Sequence, residues 1–295
     1  MGWAEGFIAA DWGTTNRRAW RIGPGGSVED EMEDDSGILS VPAGGFPAAV
    51  AELRARLGDL PLLMAGMVGS NRGWIEAPYA PCPAGLDELA ERLRWAEPGR
   101  TAIVPGVCFK GGGAADVMRG EEVQLLGAWA EGWLPEATVV CHPGTHNKWV
   151  RLDQGRIAAF RTVMTGEIFN LLKERSILAD LLDNAVEPGP AFAAGVRHGL
   201  DHDDLTAELF SVRARVLLGE ASAQDAAAYT SGLLIGSDLR IGLRFAGTAD
   251  IVVMARPDLT ELFAAALVEA GREARRLDGE ACFLAGTRRL AERMS

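Results

Sequence analysis

Short apolar runs and amphipathic stretches alternate along the chain, a pattern that predicts a mixed α/β protein. Near the start, apolar runs at 7–11, 19–22 and 27–32 are joined by links too short to hold a crossover helix. These three runs therefore predict an antiparallel meander. The elements predicted next, in chain order, are a helix at 46–57, a strand at 60–65, a helix at 86–95 and a strand at 102–104.

The second half of the chain repeats this beginning. After a glycine-rich stretch at 110–115, which we interpret as a candidate hinge, a helix is predicted at 121–130. Three strands follow at 137–141, 148–152 and 156–164, then almost wholly helical periodicity over 166–243, a strand at 251–254, and helices at 257–270 and 280–294. Two α/β halves that each open with a meander predict a ligand-binding cleft between them.

Composition and charge narrow the class of protein. The chain has 295 residues, of which 48% are hydrophobic and 24% are charged, as in ordinary globular proteins. The net charge of −12 disfavours binding to nucleic acid or to an anionic membrane surface. No apolar run has the length of a membrane span, and no signal peptide is visible. Because the four cysteines are far apart and lack metal-site spacing, we expect free thiols and a cytoplasmic protein.

The segment Asp11–Asn16, DWGTTN, is the first candidate for chemistry. A carboxylate at a strand end, followed by glycine and hydroxyl residues, suits a turn that offers backbone N–H groups to phosphate while the carboxylate holds a metal ion or its water. A solvated hairpin turn would have the same composition, and this segment alone does not separate the two interpretations.

A second segment of similar chemistry, Cys141–Trp149, follows a later predicted strand. It contains Gly144 and Thr145 in a tight turn, with Lys148 close by. The spacing is not that of a P-loop, and no other segment has that spacing, so a P-loop kinase is disfavoured.

Three further segments carry polar groups. Glu121 and Glu122 open a predicted helix, where a glutamate could accept a proton from a hydroxyl or merely complement the helix dipole. The loop at 64–74 offers hydrogen-bonding groups suited to a polyol, and Arg161 could bind a carboxylate, with Thr165 as a possible helix cap. The acidic, histidine-containing run at 201–204 resembles a metal site, but a solvated helix cap explains it better.

Taken together, these segments resemble the 2-dehydro-3-deoxygalactonokinases, a family of the actin/hexokinase/Hsp70-like superfamily of sugar kinases. The resemblance runs nearly end to end. It is carried by DWGTTNRRAW at 11–20, MAGMVGSNRGW at 64–74, VMRGEEVQLLGA at 117–128, PGTHNKWV at 143–150, FRTVMTGE at 160–167 and SGLLIGS at 231–237.

The resemblance implies a role for each segment. Asp11 is expected to hold Mg²⁺ or its water, and Glu121 is expected to be the catalytic base, with Glu122 as the alternative one residue away. The residues expected to bind the phosphates of ATP are Gly13, Thr14, Thr15, Gly144, Thr145 and Lys148. The residues expected to bind the sugar acid are Ser70, Asn71, Arg161, Thr165 and Glu167.

One segment departs from the family pattern. Where the family has a glycine-containing turn near adenosine, this chain has Met254-Ala255-Arg256-Pro257. A side chain in place of glycine could crowd the nucleotide, or Arg256 could lie over the base or reach the α-phosphate.

The resemblance also implies a fold and a reaction. We expect two ribonuclease-H-like domains, residues 1–114 on the sugar-acid side and residues 115–295 on the nucleotide side, with the last helix packing at the hinge. The enzyme would use ATP and Mg²⁺ to phosphorylate the 6-hydroxyl of 2-dehydro-3-deoxy-D-galactonate, and assembly as a homodimer stays open. The alternatives are the same fold acting on 2-dehydro-3-deoxygluconate or another sugar acid, and a non-catalytic sugar-acid sensor.

Overall fold

A computed structural model describes residues 2–294. The strands are, in chain order, β1 (Phe7–Trp12), β2 (Arg17–Ile22), β3 (Val28–Asp34), β4 (Leu62–Ala65), β5 (Ala80–Pro81), β6 (Arg94–Glu97), β7 (Thr101–Ile103), β8 (Val107–Gly111), β9 (Ala114–Met118), β10 (Thr138–His142), β11 (Asn147–Asp153), β12 (Arg156–Val163), β13 (Asp250–Ala255) and β14 (Ala274–Asp278). The helices are α1 (Phe46–Leu57), α2 (Leu86–Ala90), α3 (Glu121–Ala130), α4 (Thr165–Arg175), α5 (Pro190–Asp201), α6 (Leu205–Leu217), α7 (Ala226–Ala246), α8 (Pro257–Glu269) and α9 (Gly279–Glu292).

The contacts divide the chain into two compact units. Unit 1 contains the chain up to Leu134, the segment Asp153–Ala159 and the chain from Glu280 onward. Unit 2 contains Pro135–Leu152 and Phe160–Gly279. The division expected at residue 114 falls in unit 1, at the hairpin of β8 and β9, and the last helix is also part of unit 1.

A six-stranded sheet in the order β3-β2-β1-β4-β7-β6 forms the centre of unit 1. The strands β1, β2 and β3 form the predicted antiparallel meander, whereas β1, β4 and β7 run parallel. All four residues of β4 are buried, as expected for an inner parallel strand. Helix α1 buries Val50, Leu53 and Leu57 in the core beside this sheet, a spacing that places them on one helix face.

Unit 2 is built on a five-stranded sheet in the order β12-β11-β10-β13-β14. Here β10 pairs antiparallel with β11 and parallel with β13, which in turn pairs parallel with β14. The order repeats β3-β2-β1-β4-β7 of unit 1, position by position. This repeat confirms the α/β class and the expected pair of ribonuclease-H-like halves.

Glycines allow two pairs of helices to pack backbone against backbone. In unit 1, a Cβ on Gly127 of α3 would lie 2.3 Å from the carbonyl oxygen of Cys282 of α9, and one on Gly286 would lie 2.0 Å from that of Val123. In unit 2, a Cβ on Gly195 of α5 would lie 2.1 Å from the carbonyl oxygen of Tyr229 of α7. Real Cβ atoms do not approach so closely, so these positions require glycine.

Two sequence predictions of elements are wrong, and several short strands were not predicted. The helix predicted to reach residue 95 ends at Ala90, because Arg94–Glu97 pairs with β7 as an antiparallel edge strand. The glycine-rich stretch predicted as a hinge is a hairpin turn between β8 and β9, in which Gly112 and Gly113 both have positive φ. The edge strand β14 was not predicted, because its sequence ARRLD is mostly charged.

Within residues 2–294, no helix combines the length and apolar character that a membrane crossing requires.

Candidate active site

Asp11 lies at the carboxyl end of β1, where the inner strand of unit 1 gives way to a turn. Its side chain is 21% exposed, and its Oδ2 accepts a hydrogen bond from Arg18 Nη2 at 3.0 Å. Arg18 faces Asp11 across the β1–β2 register and also lies 3.5 Å from Glu280 of α9. Asp11 is therefore a partly buried carboxylate that one arginine balances.

Two glycines, Gly66 and Gly120, bring bare backbone together on the Asp11 side of unit 1. Gly66 follows β4 with φ +94°, and a Cβ there would lie 2.8 Å from the carbonyl oxygen of Trp12 and 3.2 Å from Asp11 Oδ1. Gly120, just before α3, would place its Cβ 3.3 Å from Gly66 Cα. Because both residues lack side chains, the turn after β4 and the start of α3 can meet beside the carboxylate.

The two glutamates that begin α3 have different surroundings. Glu121 is half-buried, and its Oε2 accepts a hydrogen bond from the Arg119 backbone N–H at 3.0 Å. Glu122 is fully buried, and both of its carboxylate oxygens lie within 2.9 Å of the Gly120 backbone nitrogen.

The same two glutamates also differ in their electrostatic effects. Burial raises the pKa of Asp11, Arg18 opposes that shift, and the negative charge of Glu121 adds to it. Burial, and after it the charge of Glu121, raises the pKa of Glu122 to about 8. Of the two alternatives left by the sequence, Glu121 is the carboxylate whose charge acts on Asp11.

The first predicted phosphate segment is the turn between β1 and β2. The Gly13 N–H donates to the Asn16 carbonyl at 2.9 Å, and the side chains of Thr14 and Thr15 are exposed. The segment is thus a hairpin turn by geometry, and it presents its hydroxyl groups beside the strand end that carries Asp11.

The loop after β4 holds the sugar-acid candidates of unit 1. Ser70 is buried, and its hydroxyl oxygen accepts a hydrogen bond from the Arg72 N–H at 3.2 Å, whereas Asn71 is exposed. Arg119 ties the end of this loop to the start of α3, because its Nη2 donates to the Ala77 carbonyl at 2.8 Å and its guanidinium carbon lies 4.4 Å from the centre of the Tyr79 ring.

The second predicted phosphate segment follows β10 in unit 2. The turn at Gly144 and Thr145 lies on the first turn of α4: the Glu167 N–H donates to the Thr145 carbonyl at 2.9 Å, and a Cβ on Gly166 would lie 2.6 Å from the Gly144 carbonyl oxygen. Lys148 is buried in β11, and its Nζ donates to the His146 carbonyl at 3.1 Å.

A cavity of about 250 Å³ opens beside this turn. Gly144, Thr145 and Thr165 line its polar side, and Phe169 and Phe263 are among its apolar walls. Arg256, from the segment that departs from the family pattern, also lines the cavity, and its Nε lies 2.9 Å from Asp258 Oδ1. A larger cavity of about 420 Å³, between α5, α6 and α7, contains none of the predicted site residues.

The three sugar-acid candidates of unit 2 have separate environments. Arg161 is exposed on β12. Glu167 Oε2 lies 2.5 Å from His146 Nε2, and the Thr165 hydroxyl is buried and donates a hydrogen bond to Asp238 Oδ2. Ser70 and Asn71 belong to unit 1, so the structure divides the predicted sugar-acid residues between the two units.

Sequence reasoning missed Asp238, a buried carboxylate in the middle of α7. Its side chain accepts hydrogen bonds from Asn147, Trp149 and Thr165, all of which come from segments singled out for chemistry. The quoted block SGLLIGS ends one residue before it. The sequence signal that could have found Asp238 was its spacing. It lies four residues after Leu234 and four before Gly242, so it shares a buried face of α7 with both.

The carboxylates of unit 1 suit a hard divalent cation. Among residues 2–294 there is no cluster of three or more acidic, histidine or cysteine side chains that could hold a metal ion by itself. Magnesium in kinases is typically held by one or two carboxylates together with phosphate oxygens and water. Asp11, a partly buried carboxylate whose surroundings also carry the negative charge of Glu121, fits that requirement.

Comparisons with known proteins agree over nearly the whole chain. The sequence profile of the family described as 2-keto-3-deoxy-galactonokinase matches residues 11–290. The chain is 36% identical over 288 residues to the 2-dehydro-3-deoxygalactonokinase of Escherichia coli (strain K12), with 97% of each protein covered. It is 37% identical over 295 residues to a probable 2-dehydro-3-deoxygalactonokinase of Rhizobium meliloti (strain 1021), with 95% of this chain and 94% of that protein covered.

A solved structure gives the same result for the fold. The crystal structure of a candidate 2-dehydro-3-deoxygalactonokinase from Sinorhizobium meliloti superposes with a TM-score of 0.91 at 35% identity. The match covers 97% of this chain and 98% of that one.

Proposed function

Because the chain belongs to the 2-keto-3-deoxy-galactonokinase family, we propose that it transfers the γ-phosphoryl group of ATP to the terminal 6-hydroxyl of 2-dehydro-3-deoxy-D-galactonate. The products are 2-dehydro-3-deoxy-6-phosphogalactonate and ADP. The observation that carries this proposal beyond the family match is Asp11, a partly buried carboxylate that lies against the bare backbone of Gly66 and feels the negative charge of Glu121.

Glu121 is the proposed general base. Its half-buried carboxylate is held by the Arg119 N–H, and burial keeps the neighbouring Glu122 out of reach of a substrate. In phosphoryl transfer the base orients the hydroxyl and takes its proton late, so a carboxylate fixed in position is sufficient.

Asp11 is the proposed residue for Mg²⁺. When bound, the ion neutralises charge on the phosphates during transfer. Arg18 holds Asp11 Oδ2 at 3.0 Å, which orients the carboxylate. The exposed hydroxyl of Thr14 lies on the adjoining turn, where it can donate to a phosphate oxygen, and the exposed hydroxyl of Thr15 can do so by exchanging its hydrogen bond to Asn16 Oδ1.

The cavity in unit 2 is the proposed nucleotide site. Its polar side is the turn at Gly144 and Thr145, which suits phosphate, and its apolar walls suit a purine base. Lys148 adds positive charge to the same turn, and Arg256 at the cavity lining is placed to contact the base or the α-phosphate.

Binding of the sugar acid by Ser70, Asn71, Arg161, Thr165 and Glu167 stays a prediction. The exposed guanidinium of Arg161 can pair with a carboxylate, and the exposed amide of Asn71 can bind hydroxyl groups.

The deciding experiment is a coupled ADP-release assay with Mg·ATP, in which 2-keto-3-deoxygalactonate and 2-keto-3-deoxygluconate are offered side by side. We expect turnover with a preference for the galactonate. A preference for the gluconate would move the proposal to the epimer. Silence with both, from folded protein that still binds the sugar acid, would favour a sensor whose altered segment at Met254–Pro257 no longer supports nucleotide chemistry.

A further inference from the structure

Asp238 has no catalytic assignment, yet it joins two of the segments that shape the proposed nucleotide site. Its Oδ2 accepts a hydrogen bond from Asn147 Nδ2 at 2.7 Å, and its Oδ1 accepts one from Trp149 Nε1 at 2.7 Å. The Thr165 hydroxyl donates a third, to Oδ2. All four side chains are buried, so these bonds are shielded from water.

The donors flank the turn that we assign to phosphate. Asn147 and Trp149 belong to β11, which begins two residues after Thr145. Thr165 is the first residue of α4, whose next two residues touch Gly144 and Thr145. One carboxylate therefore holds the strand that leaves the turn and the helix on which the turn lies.

The helix that carries Asp238 is itself firmly seated. A Cβ on Gly242, one helical turn onward, would lie 1.8 Å from Cε2 of Trp149, so α7 and the indole are in the closest possible contact. The glycine contacts between α5 and α7 fix the same helix from its other side. Because α7 is held in place, the hydrogen bonds to Asp238 hold its three partner side chains in place as well.

The three partners are neutral, so they stabilise a buried negative charge by hydrogen bonds alone. Burial raises the pKa of Asp238, and the bonds from Thr165, Trp149 and Asn147 oppose that shift. Removal of a buried acceptor leaves its donors unpaired, which costs far more than a surface hydrogen bond.

We propose that Asp238 is a positioning residue for nucleotide binding, which sets the turn at Gly144–Thr145 and the orientation of the Thr165 hydroxyl. The inference rests on the proposed function, because it requires that the cavity in unit 2 takes the nucleotide. Since Thr165 gives its only hydroxyl proton to Asp238, it offers the cavity lone pairs alone. Thr165 accordingly accepts a hydrogen bond from a hydroxyl of the nucleotide and does not donate one to a carboxylate or a phosphate. The inference therefore assigns Thr165 to the nucleotide and not to the sugar acid.

The test compares Asp238→Asn, Thr165→Val and Thr165→Ser with the wild-type protein. Binding of Mg·ADP is measured by titration calorimetry, and KM is measured separately for ATP and for the sugar acid. In Asp238→Asn the new amide N–H groups face the existing donors, so we expect the Kd for ADP and the KM for ATP to rise about 10-fold or more. The KM for the sugar acid should stay within about twofold. Thr165→Val should lose part of the ADP affinity that Asp238→Asn loses. Thr165→Ser, which keeps the hydroxyl, should bind ADP like the wild type.

The matched control is Asp225→Asn, the same substitution at the exposed start of α7. It should leave all three constants unchanged. Folding of each variant is checked by circular dichroism and thermal unfolding, and if Asp238→Asn does not fold, the two Thr165 variants decide.

The outcomes separate this inference from the proposed function. If the wild-type protein binds Mg·ADP and a folded Asp238→Asn or Thr165→Val variant binds it equally well, the positioning role is wrong. A parallel rise of both KM values would also overturn it, because it would indicate a general loss of structure. If the wild-type protein itself does not bind Mg·ADP, the proposed function fails instead.

Discussion

At the residue scale, the chemistry of unit 1 depends on the weak compensation of the negative charge of Asp11. Arg18 is the cation in hydrogen-bond contact with it, while Glu121 adds negative charge nearby. Such a carboxylate is well suited to a cation that arrives with the substrate, since the ion relieves the mutual repulsion of two acids.

Asp11→Asn should abolish most of the activity without disturbing the fold. The asparagine side-chain oxygen can still accept the hydrogen bond from Arg18, but the charge for Mg²⁺ is lost. We expect kcat to fall by about 100-fold or more, as for other charge-positioning groups. The ADP-release assay gives kcat, and circular dichroism gives the fold. Retained activity would contradict a metal-holding role for Asp11.

Glu121→Gln and Glu122→Gln distinguish the two candidate bases. Glu121→Gln should lower kcat by about 100- to 10,000-fold with the KM for the sugar acid nearly unchanged, because the amide keeps the contact with the Arg119 N–H but cannot take a proton. Glu122→Gln should leave kcat within about threefold, since Glu122 is buried against Gly120. The reverse result would place the base one residue later.

Glu122 should also make the stability of the protein depend on pH. Its pKa is raised to about 8 from an ordinary value of 4.5, so below 4.5 the group is protonated in the folded and the unfolded chain alike. Between these values the unfolded chain releases the proton first, and the free energy of unfolding therefore falls as pH rises.

Urea unfolding at about pH 5 and about pH 8 measures this dependence. The amide introduced by Glu122→Gln cannot titrate, so this variant should lack the loss of stability that Glu122 causes. The unfolding free energy of the variant minus that of the wild type should therefore increase by a few kcal/mol from about pH 5 to about pH 8. Glu121 and Arg119, the charged groups that act on Glu122, are present in both proteins. Parallel pH curves for the two proteins would show that Glu122 is not responsible.

At the scale of elements, the sequence predicted the bounds of a helix correctly where a single hydrophobic periodicity ran between clear end signals. The bounds of α1 and α3 were predicted to the residue, because an apolar stripe runs between clear glycine boundaries. The segment Arg94–Glu97 has no such pattern, and its strand conformation comes from pairing with β7.

The candidate site shows the same limit. Turns at strand ends could be found from their glycine and threonine residues, whereas Asp238 acts through partners 73 to 91 residues away. Such distant pairing leaves no local pattern in the sequence, apart from an acid on an otherwise buried helix face.

The close packing of α3 against α9 predicts a sensitive position. Gly286→Ala would place a methyl group 2.0 Å from the Val123 carbonyl oxygen, so the two helices must move apart. We expect the free energy of unfolding to fall by about 1–3 kcal/mol, as for other overpacked sites. Gly25→Ala, at a position with nothing within 4 Å of the added carbon, is the control and should change little. Equal stability of the two variants in urea would show that the helices adjust freely.

At the scale of the whole molecule, the net charge of the protein and the charges of its proposed substrates are all negative. The net charge of −12 repels both ATP and a sugar acid at long range, and salt screens that repulsion. Raising the ionic strength from about 10 to about 150 mM at constant free Mg²⁺ should therefore lower the KM for the sugar acid or leave it unchanged. A KM that rises with salt would indicate that local cations such as Arg161 outweigh the net charge.

The position of α9 has a consequence for how the protein is made. Residues 280–292 are synthesised after all of unit 2, yet they pack on α3, which the ribosome finished about 150 residues earlier. At the usual rate of about 5–20 residues per second, α3 waits on the order of 10 seconds for its partner. During translation the glycine face of α3 is uncovered, and a nascent chain halted after unit 2 would expose it to chaperones and proteases.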